Sequence, residues 1–247
     1  TLAVVQNLNL SNVQIDNNSA RGLVIDGAAN VSLTDVVSIS NVQTGAIVGN
    51  AVSLFVHGGN YSNNSQGFAI NAISSSVELR NVIANQNVTW GAVVTSVPFD
   101  VTIDNVQMND NGGGNLVLQG VATSAGRLAS ITNSQFNGAA AGVRVDSSGR
   151  FEVLSSDVDG NATGLIVTNL ADVLVFDVSL ASTAMALYAE NVSGILQLER
   201  VMRRGDGSAT GGGQIDFVQR LQMGSPLDFG FATAEAIRLN QASDGGQ

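Results

Sequence analysis

The residues that could do chemistry are few and widely spaced. His57, in the run Phe55-Val-His57-Gly-Gly-Asn60, is the single histidine among 247 residues and the natural candidate for a proton carrier. Asp157-Val-Asp159-Gly-Asn161 alternates oxygen ligands like the start of a Ca²⁺ loop, but the further acidic ligands of such a loop are missing, so an Asn-rich turn explains it as well. Arg200, Arg203 and Arg204, beside Gly205-Asp206, are the one basic concentration on an acidic chain. They suit a carboxylate-rich glycan, a neighbouring subunit or plain solvation. Arg204-Gly-Asp206 spells an integrin-binding tripeptide, which a Gly-rich stretch supplies easily by chance. A glycosidase needs two carboxylates at a set separation. Here the carboxylates are scattered, and the chain is expected to have no catalytic, cofactor or metal site.

Bulk properties exclude other classes. The formal charge is −10 and lysine is absent, so nucleic acid and anionic lipid are repelled over most of the surface. No apolar run approaches the roughly 18 residues of a membrane helix. Cysteine is absent, which removes disulfides and thiolate chemistry. With 44% hydrophobic residues and a mean hydropathy of +0.21 the chain can bury a large core. Gly, Asn, Ser, Val and Ala dominate, a bias to strands and turns rather than helices.

What must position these residues is a repeat. Asn7 to Ala29 carries apolar-x-apolar bursts at Leu8/Leu10, Val13/Ile15 and Leu23/Ile25, each followed by Asn, Asp or Gly. A small residue precedes the third burst each time, at Gly22, Gly45, Gly67, Gly91, Asn115, Gly142, Gly164 and Ala186, with spacings of 22 to 24 residues except one of 27. The first burst recurs as Val31-Leu33, Val52-Leu54, Val77-Leu79, Val101-Ile103, Leu128, Phe151-Val153, Val173-Val175 and Ile195-Gln197. Its outward positions then read Asn9, Ser32, Ser53, Glu78, Thr102, Ala129 and Glu152, with no carboxylates on neighbouring coils. A corner ladder holds Asn12, Asp35, His57, Asn81, Asn105, Asn133, Ser156 and Asp177, which gives His57 a structural place. A second holds Asn17, Asn41, Asn63, Asn87, Asn111, Asn137 and Asn161, because stacked asparagines tolerate left-handed backbone and keep turns in register.

Strands this short are stable only when stacked. The expectation is an all-β, single-stranded right-handed parallel β-helix of about ten coils, roughly 45 Å long. It covers residues 1–241, with corner insertions near 121–127 and 201–212 and a frayed tail at 242–247. A β-sandwich is the structural rival, but it gives no reason for ladders at one long period. Through coils such as Asn30-Val-Ser-Leu-Thr-Asp-Val36 and Gly164-Leu-Ile-Val-Thr-Asn169, the chain resembles the right-handed β-helix of the pectin-lyase-like superfamily. That resemblance implies fold alone, since its members include lyases, hydrolases, tailspikes and adhesins. His57-Gly58 is similar to a polygalacturonase signature, yet the partner aspartates have no match.

Function is sought on the outside of the third strand. The central residues there are Val24, Ile47, Ala69, Val93, Val117, Arg144, Ile166 and Tyr188, all but Arg144 apolar or aromatic. A free solenoid should show polar residues, so a partner is expected: another copy, another domain of a parent protein, or a polysaccharide. Good strand-forming propensity is the competing explanation. Neither terminus reads as a cap, which suggests a segment of a longer chain. Asn-x-Ser/Thr acceptors occur at Asn9, Asn17, Asn30, Asn60, Asn63, Asn87, Asn161 and Asn191, glycan sites if the chain is secreted. The expected role is a non-catalytic structural or adhesive module at the cell surface, the alternative being a polysaccharide-binding or polysaccharide-degrading β-helix. An aromatic content of 5% weakens the sugar reading.

Overall fold

The computed structural model describes residues 5–180, 182 and 184–201, with the strand backbones of 214–217, 221–223 and 237–239. The insertion expected at 201–212, with Arg203, Arg204 and the Arg-Gly-Asp run, and the tail at 242–247 lie outside the described residues, apart from Val201. The chain is an all-β parallel solenoid, and no helix occurs among the described residues. Its first turn is β1 (Asn7–Ser11), β2 (Gln14–Asp16) and β3 (Leu23–Asp26), and its second is β4 (Asn30–Thr34), β5 (Val37–Ile39) and β6 (Thr44–Ala51). Successive copies of β1 pair in parallel as one ten-stranded sheet, here sheet 1, and copies of β3 as another, sheet 2. A narrow third side starts as β2–β5 and continues as single bridges from Val37 through Asn60, Ile83, Gln107, Gln135 and Asp157 to Ser179.

From β1 to the strand Leu196–Glu199 the chain makes about eight turns, fewer than the ten expected. Val31, Leu33, Val48 and Ile70, at 0 to 1% exposure, typify a core that runs the length of the rod. Backbone N–H groups pair with both neighbouring turns, forward as from Asn12 to Thr34 O and Gly58 to Arg80 O, and backward as from Val37 to Val13 O and Ile83 to Gly59 O. A turn therefore has few hydrogen bonds of its own and stands on its neighbours.

Sheet 2 follows the expected register, with Val24, Ile47, Ala69, Val93, Val117, Arg144, Ile166 and Tyr188 as consecutive partners. Sheet 1 departs from expectation in three places. In Ser53–His57 the core residues are Leu54 and Val56, and Val52 is turned out at 47% exposure because Ala51 already fills the preceding corner. Phe55, not Ser53, thus joins the outward row beside Ser32 and Glu78. In Leu128–Thr132 the inward residues are Ala129 and Ile131, so Ser130 faces out in place of Ala129. In Leu196–Glu199 the core takes Leu196 and Leu198 and leaves Ile195 exposed. The turn at 122–127 joins Gly114–Val121 to Leu128–Thr132 and is held by Arg127 N–H donating to Ser124 O.

Candidate functional site

The asparagine ladder that keeps the turns stacked differs from the expected one by single-residue shifts. Asn17 and Asn63 take the left-handed backbone, at φ 57° and 59°, and point outward; their neighbours Asn18 and Asn64 carry the ladder. Asn41 N–H donates to Asn64 Oδ1 at 2.8 Å, Asn64 N–H to Asn87 Oδ1 at 2.9 Å, and Asn87 N–H to Asn111 Oδ1 at 2.8 Å. These carboxamides occupy the space over the small-residue row: a Cβ on Gly67 would lie 2.9 Å from Asn87 Nδ2 and 2.3 Å from Gly91 O.

One exchange breaks the pattern without breaking the ladder. The sixth turn has Ala139 at the corner, and the fifth has Asn115 where the other turns have Gly or Ala. Asn111 Nδ2 donates to Asn115 Oδ1 at 2.8 Å, and Asn115 Nδ2 donates onward to Asn161 Oδ1 at 3.3 Å. A side chain from a different row spans the turn that lacks one. Asn137 belongs to a separate ladder in which Asn85 Oδ1, Asn109 Oδ1 and Asn137 Oδ1 accept from Asn109, Asn137 and Asp159 N–H at 2.7 to 3.0 Å. Buried at 2% and 0% and tied into the first ladder, Asn87 and Asn161 have no room for a glycan, which corrects two of the acceptor positions. Asn9, Asn17, Asn30, Asn63 and Asn191 are exposed and Asn60 half-buried.

The chemistry-bearing residues gather on sheet 1. His57 ends its strand, and Gly58 takes the corner place expected for it, at φ 71°. Likewise Ser155 rather than Ser156 takes the corner, at φ 46°. His57 Nε2 is 2.8 Å from Glu78 Oε1, which also holds Arg80 Nε at 2.6 Å, and Arg80 Nη1 is 3.9 Å from Asp104. Hydrogen bonds from Thr132 and Asn133, with Arg80 adding attraction, hold the Asp104 carboxyl below the usual aspartate range. This chain of ion pairs is open to water. Glu78 and Glu152 are separated along the outward row by Thr102 and Ser130. Asp157 and Asp159 lie on the narrow side, where Ser179 Oγ donates to Asp159. Among the described residues no group of three or more His, Cys, Asp or Glu could hold a metal ion, and no helix could cross a membrane.

Sheet 2 is different in kind. Its outer face has three rows. The first runs Arg21, Thr44, Gln66, Trp90, Gly114, Ala141, Thr163, Met185; the second is the Val24 to Tyr188 row; the third runs Asp26, Gly49, Asn71, Thr95, Gln119, Asp146, Thr168, Glu190. From the second through the fifth turn no position in these rows is charged. Trp90 lies flat across Gly114, whose absent Cβ would sit 2.1 Å from the ring. Val24 is 52% exposed, the other apolar members of its row are half-buried, and the neighbouring corner adds Val42 at 67% and Val88 at 72%. Hydrogen bonds from Asn169, Thr168 and Ser147 hold the Asp146 carboxyl low, with Arg144 adding attraction, so it stays ionised.

No protein-family model and no curated protein matches the chain. The fold and the geometry of this face therefore carry the functional argument.

Proposed function

We propose that the chain is an extracellular, non-catalytic structural module that acts as a rigid rod packed laterally through sheet 2, against copies of itself or other domains of a parent surface protein. The observation that carries this is the register of Val24, Ile47, Ala69, Val93, Val117, Ile166 and Tyr188 in one straight row on an outer face. A row of aliphatic groups over four uncharged turns, on a protein of charge −10, loses little by being covered and gains by leaving water. Strand propensity explains single valines but not the absence of charge from the rows on either side. Negative-stain imaging of the native material should show rods side by side, and Ile47→Asn with Val93→Asn should separate them. Isolated native rods, or bundles indifferent to the double substitution, would refute the reading.

A second reading, polysaccharide binding, draws on sheet 1. Arg150, Glu152, Asp172, Leu174 and Gln197 line a shallow depression of about 200 Å³, with the two carboxylates on adjacent turns. Oligosaccharide titration by calorimetry, with Glu152→Gln and Asp172→Asn as controls, tests it.

A further inference from the structure

Two of the eight Asn-x-Ser/Thr acceptors stand apart from the other six. Asn87-Val-Thr89 and Asn161-Ala-Thr163 are the two that end in Thr, from which sugar transfer is the more efficient, and they are the two whose asparagine is buried, at 2% and 0% exposure. Transfer joins the acceptor Nδ2 to C1 of a sugar carried on a lipid pyrophosphate. The C1–O bond to the pyrophosphate breaks, one of the two amide protons leaves and the other stays. In the finished rod neither nitrogen has space for that bond. Asn87 Nδ2 donates to Asn111 Oδ1 at 2.9 Å, while Asn87 Oδ1 accepts from Asn64 N–H at 2.9 Å. Asn161 Nδ2 donates to Phe136 O at 2.7 Å, while Asn161 Oδ1 accepts from Ala139 N–H at 2.9 Å. Both nitrogens lie against the small-residue row, 2.9 Å from where a Cβ on Gly67 would sit and 2.7 Å from one on Gly142. A sugar at either position expels the carboxamide from the ladder and leaves the buried groups it served without partners.

We propose that the chain folds only where N-linked sugars are not transferred, and that its natural producer exports it by a route without that transfer, so all eight acceptors are bare in the native rod. Burial does not protect Asn87 or Asn161, because transfer acts on extended, flexible chain and therefore precedes folding. The ladder gives no early shelter either. Asn87 takes its partners from Asn64, 23 residues before it, and from Asn111, 24 residues after it, so its amide stays open until the following turn has stacked. The six acceptors with exposed or half-buried asparagines conflict with nothing in the fold, but they meet the same transfer as the buried two. A route that spares the ladder spares them as well. This inference stands apart from the lateral-packing reading and adds to it the kind of cell that makes the rod.

Peptide mapping of the native material should find all eight acceptors unmodified, and a sugar on any of them overturns the proposal. The direct test sends the full chain through a eukaryotic secretory pathway and compares it with the same chain made in the bacterial cytoplasm. The bacterial product should be the folded rod. The secretory product should carry sugar on Asn87 or Asn161 and stay in the cell, with loss of strand circular dichroism and of protease resistance. Blocking synthesis of the lipid-linked sugar should return folded rod to the medium with no change of sequence. Thr89→Val with Thr163→Val removes both acceptor motifs without touching either asparagine and should do the same, leaving sugars on exposed positions such as Asn17 and Asn63. A folded, secreted rod with sugar on Asn87 or Asn161 overturns the proposal. So does one with both bare while exposed acceptors are occupied, and so does a secretory product that stays unfolded when transfer is blocked. None of these results depends on Ile47 or Val93, whose replacement tests the lateral packing separately.

Discussion

The bridge between Asn111, Asn115 and Asn161 makes a sharp energetic prediction. Asn115→Gly restores the small residue found on this row in most turns but takes the acceptor from Asn111 Nδ2 and the donor from the Asn137 carbonyl, which Asn115 Nδ2 meets at 3.2 Å. Asn111 and Asn161 are 1% and 0% exposed, so water does not replace the lost contacts; Asn111 Nδ2 keeps Ala84 O, the Asn137 carbonyl keeps the Asp110 N–H and Asn161 Oδ1 keeps the Ala139 N–H, so with each group only partly orphaned the loss should be about 1–3 kcal/mol. Ala139→Asn alone pushes a second carboxamide into space Asn115 already fills, an overpacking cost of about 1–3 kcal/mol. Made together, the two changes recreate the arrangement of the neighbouring turns, a corner carboxamide over a glycine, and should fall within about 1 kcal/mol of the parent. The coupling is then about 3 kcal/mol, large for a pair in one network. Urea unfolding followed by fluorescence of Trp90, the sole tryptophan, reads the affected region directly, a safeguard where a solenoid does not unfold in one step. Single-mutant effects that add within about 0.5 kcal/mol would refute the relay.

Other consequences are open to the same measurements. Tyr61 is fully buried against Phe68, ring centroids 4.8 Å apart, and its hydroxyl has no hydrogen-bond partner among the described residues; Tyr61→Phe should stabilise by about 1–2 kcal/mol, and a loss of stability would contradict that account. Burial raises the Tyr61 pKa, so its contribution is intact below the ordinary tyrosine range and falls away above about pH 10, a decline that Tyr61→Phe should reduce in unfolding midpoints. Asp104 and Asp146 have lowered pKa values, so their contribution is present above the ordinary aspartate range and lost as pH falls through their folded values; Asp104→Asn should flatten the acid limb of the stability curve. Gly67→Ala places a Cβ 2.3 Å from Gly91 O and should destabilise by about 2 kcal/mol or more, whereas Asn71→Ala on the exposed face should change stability by under about 0.5 kcal/mol.

Sheet 2 was readable because the glycine row is a steric demand. Ala186 and Asn115 are its two exceptions, and the second is compensated. Sheet 1 was less readable because alternation fixes parity and not position: Val52-Ser-Leu54 and Leu54-Phe-Val56 are equally good apolar pairs, and only the placement of Ala51 decides between them. At Leu128 parity itself failed, since Asp100 Oδ1 accepts the Leu128 N–H at 3.0 Å and anchors the strand after an irregular turn. The ladder slipped wherever two asparagines adjoin, at Asn17-Asn18 and Asn63-Asn64, because one supplies left-handed backbone and the other the buried amide. Composition does not distinguish those roles.

The passing of hydrogen bonds from turn to turn has a mechanical meaning. Strands lie across the rod and their bonds along it, so tension along the axis loads every bond of a joint together while bending must stretch one side's whole sheet. In such a rod an interior turn is held from both sides, and any turn with a neighbour on one side only would be the weakest. Failure should begin there and advance by whole turns, each releasing some 23 residues, or about 80 Å of slack chain. Stacked turns of this kind give way one at a time rather than all at once.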